Sequence, residues 1–169
     1  MDSVTKAIED AVAQTLETLA FMDVSTAYEE IKFSNGMDFM QSVIDLKTPL
    51  SGEMIVAMPS SLLDMIAHVV FADSMEPPEP PPDPSQENEN DSSAPDEPAK
   101  AFSEEILNDI LGEVLNTLAG NFMSLIVSND QTFIIGFPKT TKETPDNSSW
   151  NWLSFVANDI NFGVAVTLT

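Results

Sequence analysis

One break in composition constrains this chain more than any other feature. Residues 76–98, EPPEPPPDPSQENENDSSAPDEP, hold eight of the twelve prolines and eight of the 28 acids, and Ala94 is their only aliphatic residue. Such a stretch cannot bury enough apolar area to offset the entropy of ordering it, so a disordered or partly polyproline insertion is expected. The rest of the 169 residues must then fold from two flanking parts into one domain over 1–169. That remainder still carries 20 acids against six lysines, net −14, with no arginine. A surface of this sign argues against nucleic acid and against anionic membranes. The 43 % hydrophobic fraction is nonetheless ordinary, so a real core is expected. Cysteine is absent, which removes disulfides, thiol catalysis and Cys-ligated metals. No apolar run approaches the roughly 18 residues of a membrane span. The start, MDSVTKAIED, is amphipathic and acidic, unlike a secretory signal. A soluble cytoplasmic chain is the expectation.

Before the insertion, Val4, Ile8, Ala11, Val12, Thr15, Leu16 and Leu19 recur at helical spacing over residues 4–21. Phe39–Lys47 and Glu53–Met58 read as strands joined through Thr48-Pro49-Leu50-Ser51-Gly52. Pro59 and Ser60-Ser61 open a helix through Phe71, with Ser61 and Asp64 in capping-box spacing. After the insertion, Ser103 with Glu104 and Glu105 starts a long helix to about Ser128. Gln131–Phe137, Asn151–Ala157 and Phe162–Leu168 read as strands, the last two joined by Asn158–Asn161. The order of elements repeats, and Thr18-Leu19-Ala20 aligns with Thr117-Leu118-Ala119. The expected architecture is α+β, an antiparallel sheet carrying long helices and built from two similar halves.

In the second half, Asp109, Glu113, Asn116 and Gly120 fall within about 60° on one face of the long helix. Ile110, Leu111, Val114, Leu115, Leu118 and Phe122 take the opposite side. A glycine within a helix costs roughly 1 kcal/mol relative to alanine, so Gly112 and Gly120 need a reason. On spacing alone the stripe reads first as a solvated face bearing a carboxylate and an amide. The alternative is that Gly120 lets another surface approach closely while Glu113 and Asn116 point at it. In the gapless alignment the first helix sets Asp10, Gln14, Glu17 and Phe21 against these four positions.

The segment Leu111–Asn121, LGEVLNTLAGN, resembles the central helix of the CheX/CheC family of chemotaxis phosphatases. The family pattern of Asp or Ser, Glu, Asn and Gly is filled by Asp109, Glu113, Asn116 and Gly120. The resemblance also follows the order of elements through the closing strands, and it is nearer CheX than CheC because only one motif is intact. Two departures stand out. The 76–98 insertion is longer than the family's usual connection. In CheC-like members a proline follows the asparagine at a set remove in sequence, and Pro138 stands near that place.

This resemblance implies a phosphatase acting on the aspartyl phosphate of a CheY-type receiver domain. The receiver would supply Mg²⁺, a lysine and the phosphorylated aspartate, so this chain would bind no cofactor and no metal. Phosphoryl transfer asks mostly for positioning and charge stabilisation. Asn116 would orient the attacking water, since a carboxamide both donates and accepts. Glu113 would pair with the receiver's lysine. Asp109 and Gly120 would contact the partner. The first helix would be inactive, because a carboxylate at Glu17 cannot donate to water and Phe21 obstructs close approach. A non-catalytic receiver-binding or flagellar-switch adaptor is the competing reading. A small-molecule hydrolase lacks any nucleophile or metal constellation.

The family likeness also implies a homodimer. The apolar strands Asn151–Ala157 and Phe162–Leu168 were well suited to pair through an exposed sheet edge, lacking any proline or lysine to guard it. His68, the only histidine, reads as structural. Trp150 and Trp152 would share a strand face in core or interface packing. Asn147-Ser148-Ser149 matches a glycosylation acceptor only by chance.

Overall fold

The computed structural model describes residues 3–34, 38–72, 101–128 and 130–169; the insertion expected at 76–98 lies outside the described residues. The first half runs α1 (Ser3–Ala20), β1 (Val24–Thr26), β2 (Phe39–Thr48), β3 (Gly52–Pro59) and α2 (Ser60–Val70). The second runs α3 (Glu104–Ile126), β4 (Ile134–Ile135), β5 (Lys139–Thr141), β6 (Leu153–Ala157) and β7 (Ile160–Leu168). Among the described residues seven strands form one antiparallel sheet in the order β1-β6-β7-β3-β2-β4, with β5 also on β2.

The pairing gives the repeat a physical form. Each half contributes a hairpin, β2–β3 or β6–β7, and the two hairpins meet where β3 pairs with β7. The short strands of each half are donated across to the other half's hairpin: β1 lies on β6, and β4 and β5 lie in line on β2. The two connections differ in length. Asn158 and Asp159 both adopt left-handed φ, 47° and 62°, as a two-residue hairpin turn of the primed kind requires. The other loop carries a cis Thr48–Pro49 bond and ends at Gly52. A Cβ on Gly52 would fall 1.9 Å from the Thr167 carbonyl oxygen, so only glycine lets β3 approach β7 there.

The main core lies between the helices and one sheet face. It joins Ile8, Val12 and Leu16 of α1 and Leu62, Leu63 and Ile66 of α2 to Leu111, Leu115 and Phe122 of α3. Strict alternation along β2 sends Met40, Ile44 and Leu46 into that core. The central strands β3 and β7 are buried on both faces. Met54, Val56, Phe162 and Val164 face the helices, while Ile55, Ala57 and Ala165 meet a smaller cluster of Phe33 and Trp152 behind. Asn147 holds that back cover: its Nδ2 donates to the Phe33 carbonyl at 2.7 Å, and its Oδ1 accepts from Phe33 N–H at 2.9 Å. The residue that matched a glycosylation acceptor is thus a brace between loops. Trp152 Nε1 donates to the Asp146 carbonyl at 3.2 Å.

Several sequence expectations need correction. β6 and β7 are not edge strands: β7 is flanked by β6 and β3, and β6 by β1. The edge argument for a homodimer therefore fails, because the three-residue β1 already covers β6. Neither β1 nor β5 was visible in the sequence; strands this short carry no alternation to read. Gln131–Phe137 contracts to the two residues of β4. The hairpin loop shrinks from four residues to two. Trp150 and Trp152 precede β6 rather than lie on it, though they do pack together, with ring centroids 6.5 Å apart. The capping box at Ser61 and Asp64 does not form. The N-cap of α2 is Pro59, and the Asp64 carboxylate instead accepts from Phe102 N–H at 2.9 Å. His68 stays structural, its ring 4.8 Å from that of Phe102 and its Nε2 3.5 Å from Asp64.

Candidate functional site

Helix α3 supplies the candidate site, and its own sequence explains its length. The Ser103 hydroxyl accepts from Ile106 N–H at its start, and Glu104 and Glu105 occupy the favourable first turn. Nine apolar residues from Leu107 to Met123 are buried along its inner face. That burial fixes the rotation of the helix and turns Asp109, Glu113 and Asn116 outward, all three exposed. Thr15 and Asn121 lock α3 against α1. Thr15 is only 1 % exposed, and its Oγ1 accepts from Asn121 Nδ2 at 3.0 Å while donating to the Ala11 carbonyl at 2.7 Å.

Gly120 completes the stripe. A Cβ added there would meet nothing within 4 Å. No neighbour within the described residues requires glycine at this position. Gly112 differs, because its virtual Cβ lies 3.8 Å from Pro138 Cβ and 3.9 Å from Cγ. The proline noted in the sequence therefore sits on the helix beside the motif, in the segment between β4 and β5. Thr117 was not singled out by sequence, yet its Oγ1 donates to Glu113 Oε1 at 3.4 Å. The signal that could have found it is the i,i+4 spacing of hydroxyl and carboxylate.

The corresponding face of α1 is assembled the same way with other groups. Gln14 and Glu17 are exposed, as their counterparts are. The helix, however, stops at Ala20. Phe21 takes φ 52°, its N–H donates to the Glu17 carbonyl at 3.1 Å, and the Met22 N–H donates to the Leu16 carbonyl at 3.2 Å, a left-handed helix end. Where α3 presents a bare backbone within the helix, α1 has already ended in an aromatic ring that is 85 % exposed.

Two charged groups elsewhere are perturbed. Lys142 hydrogen-bonds to Glu104 at 2.8 Å, which raises its pKa and ties the residue after β5 to the start of α3. The Asp146 carboxylate accepts from Ser149 Oγ and from Ser148, which lowers its pKa from 3.8 to about 2. Among the described residues no group of three His, Cys, Asp or Glu could hold a metal ion, and no helix is long and apolar enough to cross a membrane.

No protein family's sequence profile matches the chain, and no curated protein sequence matches it. Solved structures do. A CheC-like superfamily protein from Shewanella sp. PV-4 has a TM-score of 0.67 at 16 % identity, covering 100 % of this chain and 99 % of its own. Chemotaxis protein CheX from Vibrio vulnificus has a TM-score of 0.66 at 13 % identity, over 99 % and 100 % of the two chains. A chain of the CheX–CheY–BeF3–Mg complex from Borrelia burgdorferi has a TM-score of 0.59 at 15 % identity, over 97 % and 96 %. At these identities the likeness establishes the fold. The described residues have the CheC-like α+β fold.

Proposed function

We propose that this chain is a cytoplasmic phosphatase of CheY-type receiver domains, using α3 as its working face. The observation that carries the reading is the outward row of Asp109, Glu113, Asn116 and Gly120, with open space where a Gly120 side chain would stand. The fold is shared with CheX, and one such chain was solved with CheY, BeF3 and Mg.

In this mechanism the receiver brings its own Mg²⁺ and lysine together with the phosphorylated aspartate. Glu113 pairs with the lysine, its carboxylate steadied by Thr117. Gly120 and Asp109 allow the two surfaces to close. Asn116 then enters the receiver's site and holds a water in line with the phosphorus. The water oxygen bonds to phosphorus as the bond to the aspartyl oxygen breaks, and the receiver regains its carboxylate as inorganic phosphate leaves. No group of this chain need be protonated or deprotonated beforehand, so the contribution is positioning.

An adaptor that binds receivers without hydrolysis would use the same face, but it has no need of an amide at Asn116. We extend the proposal to a homodimer. If it forms through the sheet it must use the β1 edge or the β4/β5 edge, since β6 and β7 are already paired. Decay of a panel of phosphorylated receivers, with and without this protein, tests the function. Faster loss of phosphate from at least one receiver is expected; binding without faster decay would favour the adaptor.

A further inference from the structure

We infer that Phe137 is a second anchor of this docking surface, an aromatic contact for the receiver domain beside Asn116. The inference rests on the receiver reading above and adds the residue that sets affinity. Phe137 is 89 % exposed although it is among the largest apolar side chains of the protein. Isolated exposed apolar residues are common and need no explanation. The backbone around this one is what sets it apart.

The segment that carries Phe137 is an irregular link between β4 and β5, which follow one another along the edge of β2, and it is held on both sides. Gly136 N–H donates to the Asp45 carbonyl at 2.7 Å. Pro138 lies over Gly112 of α3, 3.8 Å from where a Cβ on that glycine would stand. Immediately beyond, β5 pairs with β2, Thr140 Oγ1 donates to buried Ser42 Oγ at 3.1 Å, and Lys142 bonds Glu104 at 2.8 Å. The ring is therefore displayed from a fixed backbone rather than carried on a loose loop. A rigid aromatic loses little freedom when it is buried by a partner, which is why such residues dominate binding energy.

Its position follows from helix geometry. Gly112 stands four residues before Asn116 and three after Asp109, so it is the surface neighbour of both. Asn121, which meets α1, lies about 180° around the helix from Gly112. The motif face thus runs between α1 on one flank and the Phe137 segment on the other. A body that closes on Asn116 and Gly120 comes down beside Phe137. With so many acids on the chain, an apolar contact there also supplies attraction that does not depend on charge.

The test separates affinity from turnover. Decay of a phosphorylated receiver is measured against receiver concentration for wild type, Phe137→Ala and Phe137→Leu, with binding to the BeF3-loaded receiver alongside. Phe137→Ala is expected to raise KM and weaken binding about tenfold while kcat stays within about twofold, and Phe137→Leu to recover most of the loss. Wild-type KM and affinity in Phe137→Ala would overturn the inference, as would a loss confined to kcat. A change in self-association alone, read by sedimentation, would assign the ring to a second copy of this chain and overturn it too. If wild type accelerates no receiver, the functional reading fails in its own arm and takes this inference with it.

Discussion

Helices α1 and α3 occupy equivalent places in the two halves, pack on each other, and present equivalent faces outward. On α3 the outward residues are Glu113, Asn116 and a glycine with free space above it. On α1 they are Gln14, Glu17 and an aromatic ring at the helix end. The scaffold is the same, so the difference isolates what the proposed chemistry would need. On the function proposed above it would need the amide at Asn116, the carboxylate one turn before it at Glu113, and a helix that continues past them without a side chain. The α1 copy carries its amide and carboxylate in exchanged places, Gln14 for Glu113 and Glu17 for Asn116, and its helix ends in the Phe21 cap.

Converting one face into the other gives the largest expected effects. Asn116→Glu, which places the α1 group on α3, should lower receiver dephosphorylation by on the order of 10²–10³ or more, because an oriented polar contact is replaced by a charge that repels phosphate. Glu113→Gln should weaken receiver binding as well as turnover. Activity near wild type in either variant, with circular dichroism unchanged, would break the comparison.

Gly120→Ala gives a sharper test, because two effects should move in opposite directions. The fold should gain up to about 1 kcal/mol, seen as a higher Tm, since alanine suits a helix better and meets nothing within 4 Å. Dephosphorylation should nonetheless fall severalfold. A gain in stability with full activity would show that Gly120 does not serve a close approach. The reverse conversion, Gln14→Glu with Glu17→Asn, should create no second site, because α1 stops before the position that Gly120 fills on α3. A doubling of turnover in that variant would mean the helix end is not the obstacle.

Smaller effects are expected away from these faces. Gln14→Ala and Glu17→Ala should leave turnover within about twofold of wild type. Thr15→Val should cost roughly 1–2 kcal/mol in chemical denaturation, since it strips Asn121 of its acceptor between the helices. The smallest concerns acid. The pKa of Asp146 is depressed in the fold, so its contribution is present above about pH 4 and lost as pH falls toward about 2. Asp146→Asn should flatten that part of the acid unfolding curve, and an unchanged curve would remove the Ser148–Ser149 hydrogen bonds from the account.

Much of this was legible in the sequence because it is local or periodic. The rotation of α3 follows from apolar residues recurring from Leu107 to Met123, and the stripe of Asp109, Glu113, Asn116 and Gly120 is what that rotation leaves outside. Ser103 announced the start of the helix by its cap. What was hidden is non-local. β1 and β5 are strands only because the opposite half's hairpin offers an edge to pair with, and three residues carry no pattern of their own. That exchange also covers β6, which undid the argument for an exposed edge. Asp64 followed the same rule: its capping spacing was real, but Phe102 N–H, distant in sequence, claimed its carboxylate. Pro138 is legible as a motif residue, whereas the display of Phe137 beside it depends on Gly136 meeting Asp45 and Pro138 lying over Gly112.

The central claim is that Asn116 acts on the reaction and not merely on docking. The most direct measurement follows one receiver in two assays with Asn116→Ala: affinity for its BeF3-loaded form, and the decay rate of its phosphorylated form at saturating protein. Affinity within a few-fold of wild type with acceleration lost by about 10² or more is the predicted result. Acceleration equal to wild type at saturation would contradict it, and would leave α3 as a binding face alone.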